Sequence, residues 1–288
     1  MKIYDTFCFF NELDILDLRL NILYPYVDYF VLVESSVTHT GVPKPYYFDA
    51  NKERYKQFLD KIIHLKIEDT PNDFINLNIN KNPLSFDEKE VQKINNFIQT
   101  QTNRFDRATQ PNYGRDFYQK ECVRRGLFNC QDNDIILFSD CDEIPNPDIL
   151  LAVKEFDFEN KFYMFNQMTY YYYLNMLKET QWKGTRMGSY KHLKDYSYNE
   201  LRGNPFINIH DGGWHFSFMG GPDKVKTRIQ SYSAQEFNND YYLNSISSNI
   251  SNNVDPFFRG MLDVVNIDET YPKYLLENLN KYSHMIKK

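Results

Sequence analysis

The chain has 288 residues, with 33 Lys and Arg against 39 Asp and Glu, a formal net charge of −6. No overall positive field therefore draws it to nucleic acid or to an anionic membrane. Hydrophobic residues at 42% and charged residues at 25% exclude wholesale disorder and allow a core that needs neither disulfides nor a structural metal.

The first strand is predicted over Ile3 to Phe10, and Asp5 within it interrupts any signal-peptide core. Leu13, Leu16, Leu20 and Leu23 follow at helical spacing, with Asp14, Asp17, Arg19 and Asn21 on the other face, and Pro25 ends that helix. Tyr29 to Val33, closed by Glu34-Ser35-Ser36, is a continuous apolar run of the kind that forms a strand covered on both faces. A loop at Gly41 to Pro45, a helix over Lys52 to Phe58 and a strand over Ile62 to Ile67 come next. Thr70 to Asn112 is rich in Asn, Gln and Lys. The recurrence of Phe86, Ile94, Phe97 and Ile98 makes it a mobile insertion beside a cleft or a pair of surface helices. A helix is predicted from Arg115 to Leu127, with Gly126 near its end.

Strand–helix alternation up to Pro145 indicates an α/β fold with a mostly parallel sheet. Beyond Pro147 the pattern changes to short strands, Phe162 to Phe165 and Thr169 to Tyr173, and then to helices from about Pro222 and Pro272. No repeat or linker divides the chain, so one domain over residues 1–288 is expected. Cys8, Cys122, Cys130 and Cys141 lack zinc-ligand spacing and are expected to be free thiols. No stretch reaches the roughly 18 uncharged apolar residues of a membrane span, and a cytoplasmic location is expected.

The clearest chemistry lies in Ile135-Ile136-Leu137-Phe138-Ser139-Asp140-Cys141-Asp142-Glu143. On an extended segment, side chains two apart point the same way. Asp140 and Asp142 are then expected to project together from the carboxyl end of a buried strand, where open α/β sheets bind ligands. Adjacent carboxylates repel unless a cation sits beside them, and a divalent ion shared with phosphate oxygens relieves that repulsion. Capping of a strand-to-helix turn is the plainer alternative, but three acids in four positions exceed what a cap requires. His215, in Gly212 to Gly221, can supply a nitrogen to a manganese-type ion, although a lone histidine among aromatics is also an ordinary core residue. Arg115 and Arg228 are the foremost basic candidates for phosphate contact. Tyr170 to Tyr173 can stack on sugar rings, with alternation sending half of them to the core.

These pieces together resemble glycosyltransferase family 17, whose animal members are β-1,4-mannosyl-glycoprotein 4-β-N-acetylglucosaminyltransferases. The resemblance rests on Phe10-Asn11-Glu12-Leu13-Asp14 with Arg19, on Phe30 to Ser35 with Thr38, Gly41 and Pro43-Lys44-Pro45, and on Asp140 to Pro145. Gly213-Trp214-His215-Phe216-Ser217 and Pro272 to Leu276 complete it. It implies an A-type glycosyltransferase fold, with residues 1–145 binding the nucleotide sugar and 146–288 forming a mixed acceptor-side half. It also implies a UDP-sugar donor, GlcNAc as the sugar, a glycan acceptor, Mn2+ or Mg2+, and inversion at the anomeric carbon. Carried over by position, Asp142 and His215 hold the metal, and Asp140 contacts metal or ribose. From their own places in the sequence, Asn11 and Glu12 after the first strand and Glu34 after the second are expected to help position the nucleoside, and Asp223 at a helix start and Glu143 beside the acid pair are the candidates for general base.

Two other functions compete. A phosphatase of the haloacid dehalogenase type also places Asp-x-Asp after a buried strand, but normally on the first strand of its domain and followed by Thr or Val where this chain has Ile144. A carbohydrate-binding module on a degenerate transferase scaffold would use the aromatic residues alone and would not need Asp140, Asp142 and His215 together.

Overall fold

The computed structural model describes residues 1–77, 88–100, 105–159, 161–203 and 206–288. Its strands are β1 (Ile3–Cys8), β2 (Tyr29–Ser35), β3 (Ile62–Ile67), β4 (Ile135–Asp140), β5 (Glu143–Pro145), β6 (Tyr163–Tyr171), β7 (Met176–Ser189), β8 (Ile207–Ile209), β9 (Gly213–Ser217) and β10 (Asp263–Val264). All lie in one sheet of order β3-β2-β1-β4-β7-β6-β9-β5, with β10 added to β7 and β8 to β6. The α-helices among the described residues are α1 (Leu13–Leu23), α2 (Tyr47–Ala50), α3 (Glu88–Thr100), α4 (Pro111–Glu121), α5 (Pro147–Leu151), α6 (Tyr190–Leu193), α7 (Tyr198–Leu201), α8 (Pro222–Ser231), α9 (Asp240–Ser251) and α10 (Lys273–Glu277).

The first four strands of the order, β3-β2-β1-β4, are parallel throughout, and helices cover both their faces. Alternation along each strand divides the core accordingly. Ile3, Phe7, Phe30, Leu32, Ile135 and Leu137 meet α1 on one side. Tyr4, Val31, Val33, Ile136 and Phe138 meet α3, α4 and α7 on the other. Strands buried on both faces have no solvent-facing side, which is why β2 over Tyr29 to Val33 and β4 over Ile135 to Phe138 read as continuous apolar runs, while Asp5 in β1 is a buried polar exception. Beyond β4 the pairing is mixed. β7 returns antiparallel beside β4 with Phe138 opposite Arg186, β6 and β7 form a long antiparallel pair, and β9 runs parallel to β6. This α/β architecture, a large mostly parallel sheet flanked by helices, is compatible with a glycosyltransferase fold.

Several predicted elements change in tertiary context. Asp17 and Arg19, expected on the outer face of α1, are buried: C-terminal residues including Tyr282 cover Asp17, and Arg19 is enclosed by Asp5 and Phe7 of β1 and the turn after β4. Asp17 accepts a hydrogen bond from the Tyr282 hydroxyl at 2.6 Å. Of Thr70 to Asn112, residues 78–87 and 101–104 lie outside the described residues, and the part described includes one helix packed on one face, α3. Ile94 and Ile98 of α3 are buried with Phe74 and Phe105 against α4, while Phe86 lies outside the described residues. The helix predicted from Arg115 starts at Pro111 and tightens into a 3-10 turn over Cys122–Gly126. The two short strands expected near 162–173 are one strand, β6, and Tyr170, Tyr171 and Tyr172 are buried, so they belong to the core and not to a stacking surface. Helix α9 was not legible because its Asn- and Ser-rich sequence buries only Ile246, Asn249 and Ile250. All four cysteines are free, and no helix among the described residues is long and apolar enough to cross a membrane.

Candidate active site

The chain steps from β1 to β2 to β3 in one direction and then adds β4 on the opposite side of β1. Open α/β sheets bind ligands at such a reversal, in the crevice beyond the carboxyl ends of the strands. A cleft of about 260 Å3 lies there, lined by Phe10 and Glu12 after β1, Asp140 at the end of β4 and Asp142 just beyond it, Lys120 of α4 and Arg228 of α8.

Asp140 and Asp142 reach the cleft by a different geometry from the one expected. Strand β4 ends at Asp140, and Cys141 and Asp142 form a turn, so the two carboxylates do not share an extended segment. Asp140 meets Arg202 at 2.8 Å and Lys120 at 3.9 Å. Asp142 meets Arg228 at 2.8 Å through Oδ2, and its Oδ1 stands 3.6 Å from Nε2 of His215. Burial alone would raise the Asp142 carboxyl, but Arg228 and His215 outweigh it and hold the group well below the usual carboxylate range. Burial is likewise overcome at Asp140, chiefly by Arg202 and Lys120.

His215 arrives from far along the chain. Strand β9 is antiparallel to β5 with His215 opposite Glu143, which sets the imidazole beside Asp142. The close approach of these strands requires Gly213: its φ is +119°, and an added Cβ would stand 2.2 Å from the Ile144 carbonyl oxygen. The imidazole stacks on Trp182 at 4.8 Å, and its Nδ1 lies 3.4 Å from the Thr169 hydroxyl. Among the described residues no three His, Cys, Asp or Glu side chains gather into a ready-made metal cage.

The other residues singled out from the sequence have these positions. Glu143 is fully buried; its carboxylate accepts from Trp182 Nε1 at 2.9 Å, Arg202 Nη2 at 2.6 Å and the Asp140 amide at 3.1 Å, so it holds the site together from behind the cleft. Asp223 is exposed in the first turn of α8, outside the cleft. Arg115 donates to the His39 carbonyl and packs against Gly41, propping the loop after β2 without lining the cleft. Glu34 is fully buried, where it accepts from the Phe48 amide and Lys44 and lies 3.1 Å from His64 Nε2. Lys44 in turn lines the cleft. Asn11 lines only a small neighbouring cavity, whereas Glu12 lines both. The Glu12 carboxylate accepts from the amides of Phe10 and Asn11 at 3.0 Å and lies 3.9 Å from Arg228. Burial raises its carboxyl above the ordinary value, and Arg228 offsets this only in part.

Sequence reasoning missed Arg202, Trp182 and Lys44. Nothing local marks Arg202, which follows the short helix α7; Trp182 is one of only two tryptophans, and Lys44 stands in the Pro43-Lys44-Pro45 piece of the family resemblance, where no role was read for it.

The family model described as glycosyltransferase family 17 matches residues 1–109 and 100–255. The chain belongs to glycosyltransferase family 17. No curated protein matches it. A family 17 enzyme is a glycosyltransferase and requires a sugar donor and an acceptor, and this membership removes the phosphatase alternative. In this family 17 chain, the switch-point cleft brings together Glu12, Asp140 and Asp142 with Lys120 and Arg228, and His215 stands behind Asp142 without lining the cleft.

Proposed function

We propose that the enzyme moves GlcNAc from a UDP-sugar to a glycan hydroxyl by a single inverting displacement that depends on Mn2+ or Mg2+. The observation that carries this reading is the meeting of Asp142 and Arg228 in the switch-point cleft, with His215 3.6 Å from Asp142 behind it. A cation shared by Asp142 and His215 would take the place of their direct contact, with the ring proton on Nδ1 toward Thr169 and Nε2 free to bind the ion. Asp142 and His215 would hold the ion, leaving the rest of its shell to diphosphate oxygens and water, as nucleotide-bound Mg2+ sites are built. Bound there, the ion supplies Lewis acidity to the departing diphosphate. Arg228 and Lys120 add fixed positive charge to the same cleft. Asp140, restrained by Arg202, faces the ribose. Asp116, Asp140 and Asp142 each have a Lys or Arg within 3 Å; Glu12 is the lining acid whose nearest cation is 3.9 Å away. With its raised proton affinity it is better placed than Glu143 or Asp223 to take the acceptor's proton.

UDP release from UDP-GlcNAc, measured with Mn2+ and then with excess EDTA, tests the reading together with Asp142→Ala. EDTA should abolish turnover, and the variant should lose turnover while keeping its far-UV circular dichroism. Turnover that survives either change, or equal use of UDP-glucose and UDP-galactose, refutes the assignment of metal or sugar respectively.

A further inference from the structure

Arg19 does not line the cleft, yet it controls the turn that does. Its side chain and that of Asp5 are both fully buried, and Nε of Arg19 donates to Asp5 at 2.8 Å, so the charge is neutralised inside the protein. The guanidinium also packs over the Phe7 ring at 4.5 Å, which fixes its plane. Nη1 faces the backbone carbonyls of Asp140 at 3.1 Å, Cys141 at 3.1 Å and Glu143 at 2.8 Å, and Nη2 donates to Ser139 Oγ at 2.6 Å. The remaining carbonyl, that of Asp142, accepts from the Phe216 amide of β9 at 2.9 Å. Every carbonyl from 140 to 143 is therefore held, three of them by one side chain.

Buried carbonyls must find donors, and here the donors dictate which way the peptide planes face. With the carbonyls of Asp140, Cys141 and Glu143 drawn inward to a single guanidinium, the turn they belong to is fixed, and it is this turn that places Asp140 and Asp142 in the lining of the cleft. A lysine at position 19 would keep the charge but would present one compact ammonium in place of a planar fork, and it would not span Asp5, Ser139 and three carbonyls.

We propose that Arg19 is a positioning residue of the donor site, setting the turn 139–143 and through it the aim of Asp140 and Asp142. The proposal rests on the reading that this cleft takes a nucleoside diphosphate with a divalent cation. The test uses the full chain as wild type, Arg19→Lys, Ser139→Ala and Ile246→Val, the last a core change in α9. For each, thermal unfolding is recorded, and binding is measured well below the midpoint, with free Mn2+ followed by electron paramagnetic resonance and UDP in the presence of Mn2+ by calorimetry. Arg19→Lys should weaken binding by about tenfold or more, the usual cost of disturbing a group that orients metal ligands. Ser139→Ala should weaken it less and in the same direction, and Ile246→Val should lower the midpoint without changing affinity. Wild-type affinity in folded Arg19→Lys, or the same affinity loss in Ile246→Val at a matched midpoint, overturns the proposal. If Arg19→Lys does not fold, unchanged affinity in Ser139→Ala overturns it. A wild-type protein that binds neither Mn2+ nor UDP refutes the underlying reading of the cleft instead.

Discussion

Replacing Arg228 by Met tests whether the Asp142–His215 pair is a cation site. Met preserves much of the packing on Phe218, whose ring lies 5.0 Å from the guanidinium, but removes the positive charge 2.8 Å from Asp142. Breaking a buried ion pair from one side costs about 3–5 kcal/mol because the surviving charge is left buried and unpaired. Asp142 is 3% exposed and Arg228 25%, and His215 remains nearby, so the lower end, about 3 kcal/mol, applies here. For a chain of this size that corresponds to a fall in Tm of roughly 6 °C. A divalent cation at Asp142 and His215 would supply the missing charge, and a ligand at a hundred times its Kd contributes about 2.7 kcal/mol. Differential scanning calorimetry with and without Mn2+ should therefore show the ion restoring most of the lost Tm in Arg228→Met. The shift should be smaller in the wild type, where Arg228 and the ion repel each other. An Mn2+ shift no larger in the variant than in the wild type would refute this reasoning.

Two further changes probe separate features. Because Glu12's carboxyl is raised in the folded state, the stability it contributes is present below its unfolded pKa of 4.5 and is lost as pH rises through the higher folded value. Glu12→Gln should thus be at least as stable as wild type at pH 7, with the advantage vanishing toward pH 4, yet its kcat should fall by about a hundredfold or more; urea unfolding at both pH values and steady-state turnover check the two halves, and a clear destabilisation at pH 7 would contradict the first. Gly213→Ala places a methyl against the backbone of Ile144 and Asn146 at a φ of +119°, whereas Gly221→Ala, at a φ of +85°, meets nothing within 4 Å. The first should cost about 4 kcal/mol or more and the second about 1–2 kcal/mol, the strain of the dihedral alone. Equal losses in urea unfolding would show that the contact with β5 is not what demands glycine.

Strand β3 occupies the residues predicted for it, and α1 and the run ending in Asp140 are equally local readings of apolar periodicity. Family 17 membership was legible too, because its short motifs are spread along the chain in order. Local patterns misled where a distant segment supplies the other half of a contact. Arg19 looked like a surface residue since nothing near it announces that the C-terminal segment will cover α1, or that Asp5 and the turn after β4 will claim its donors. Glu143 looked like an available acid because Trp182 and Arg202, its partners, lie 39 and 59 residues further on.

The amino-acid sequence alone determined the layered parallel half of the sheet, since strands buried on both faces are predominantly apolar and alternate with helical spacing between them. It also determined which acids stand at the end of β4. Only the tertiary structure decided how those acids are partnered. The insertion of β9 between β6 and β5 sets His215 beside Asp142, and the packing of α8 and α7 delivers Arg228 and Arg202. Charge balance in a buried cleft is a property of side chains that meet across the sheet, and strand order, which no local period encodes, settles which ones meet.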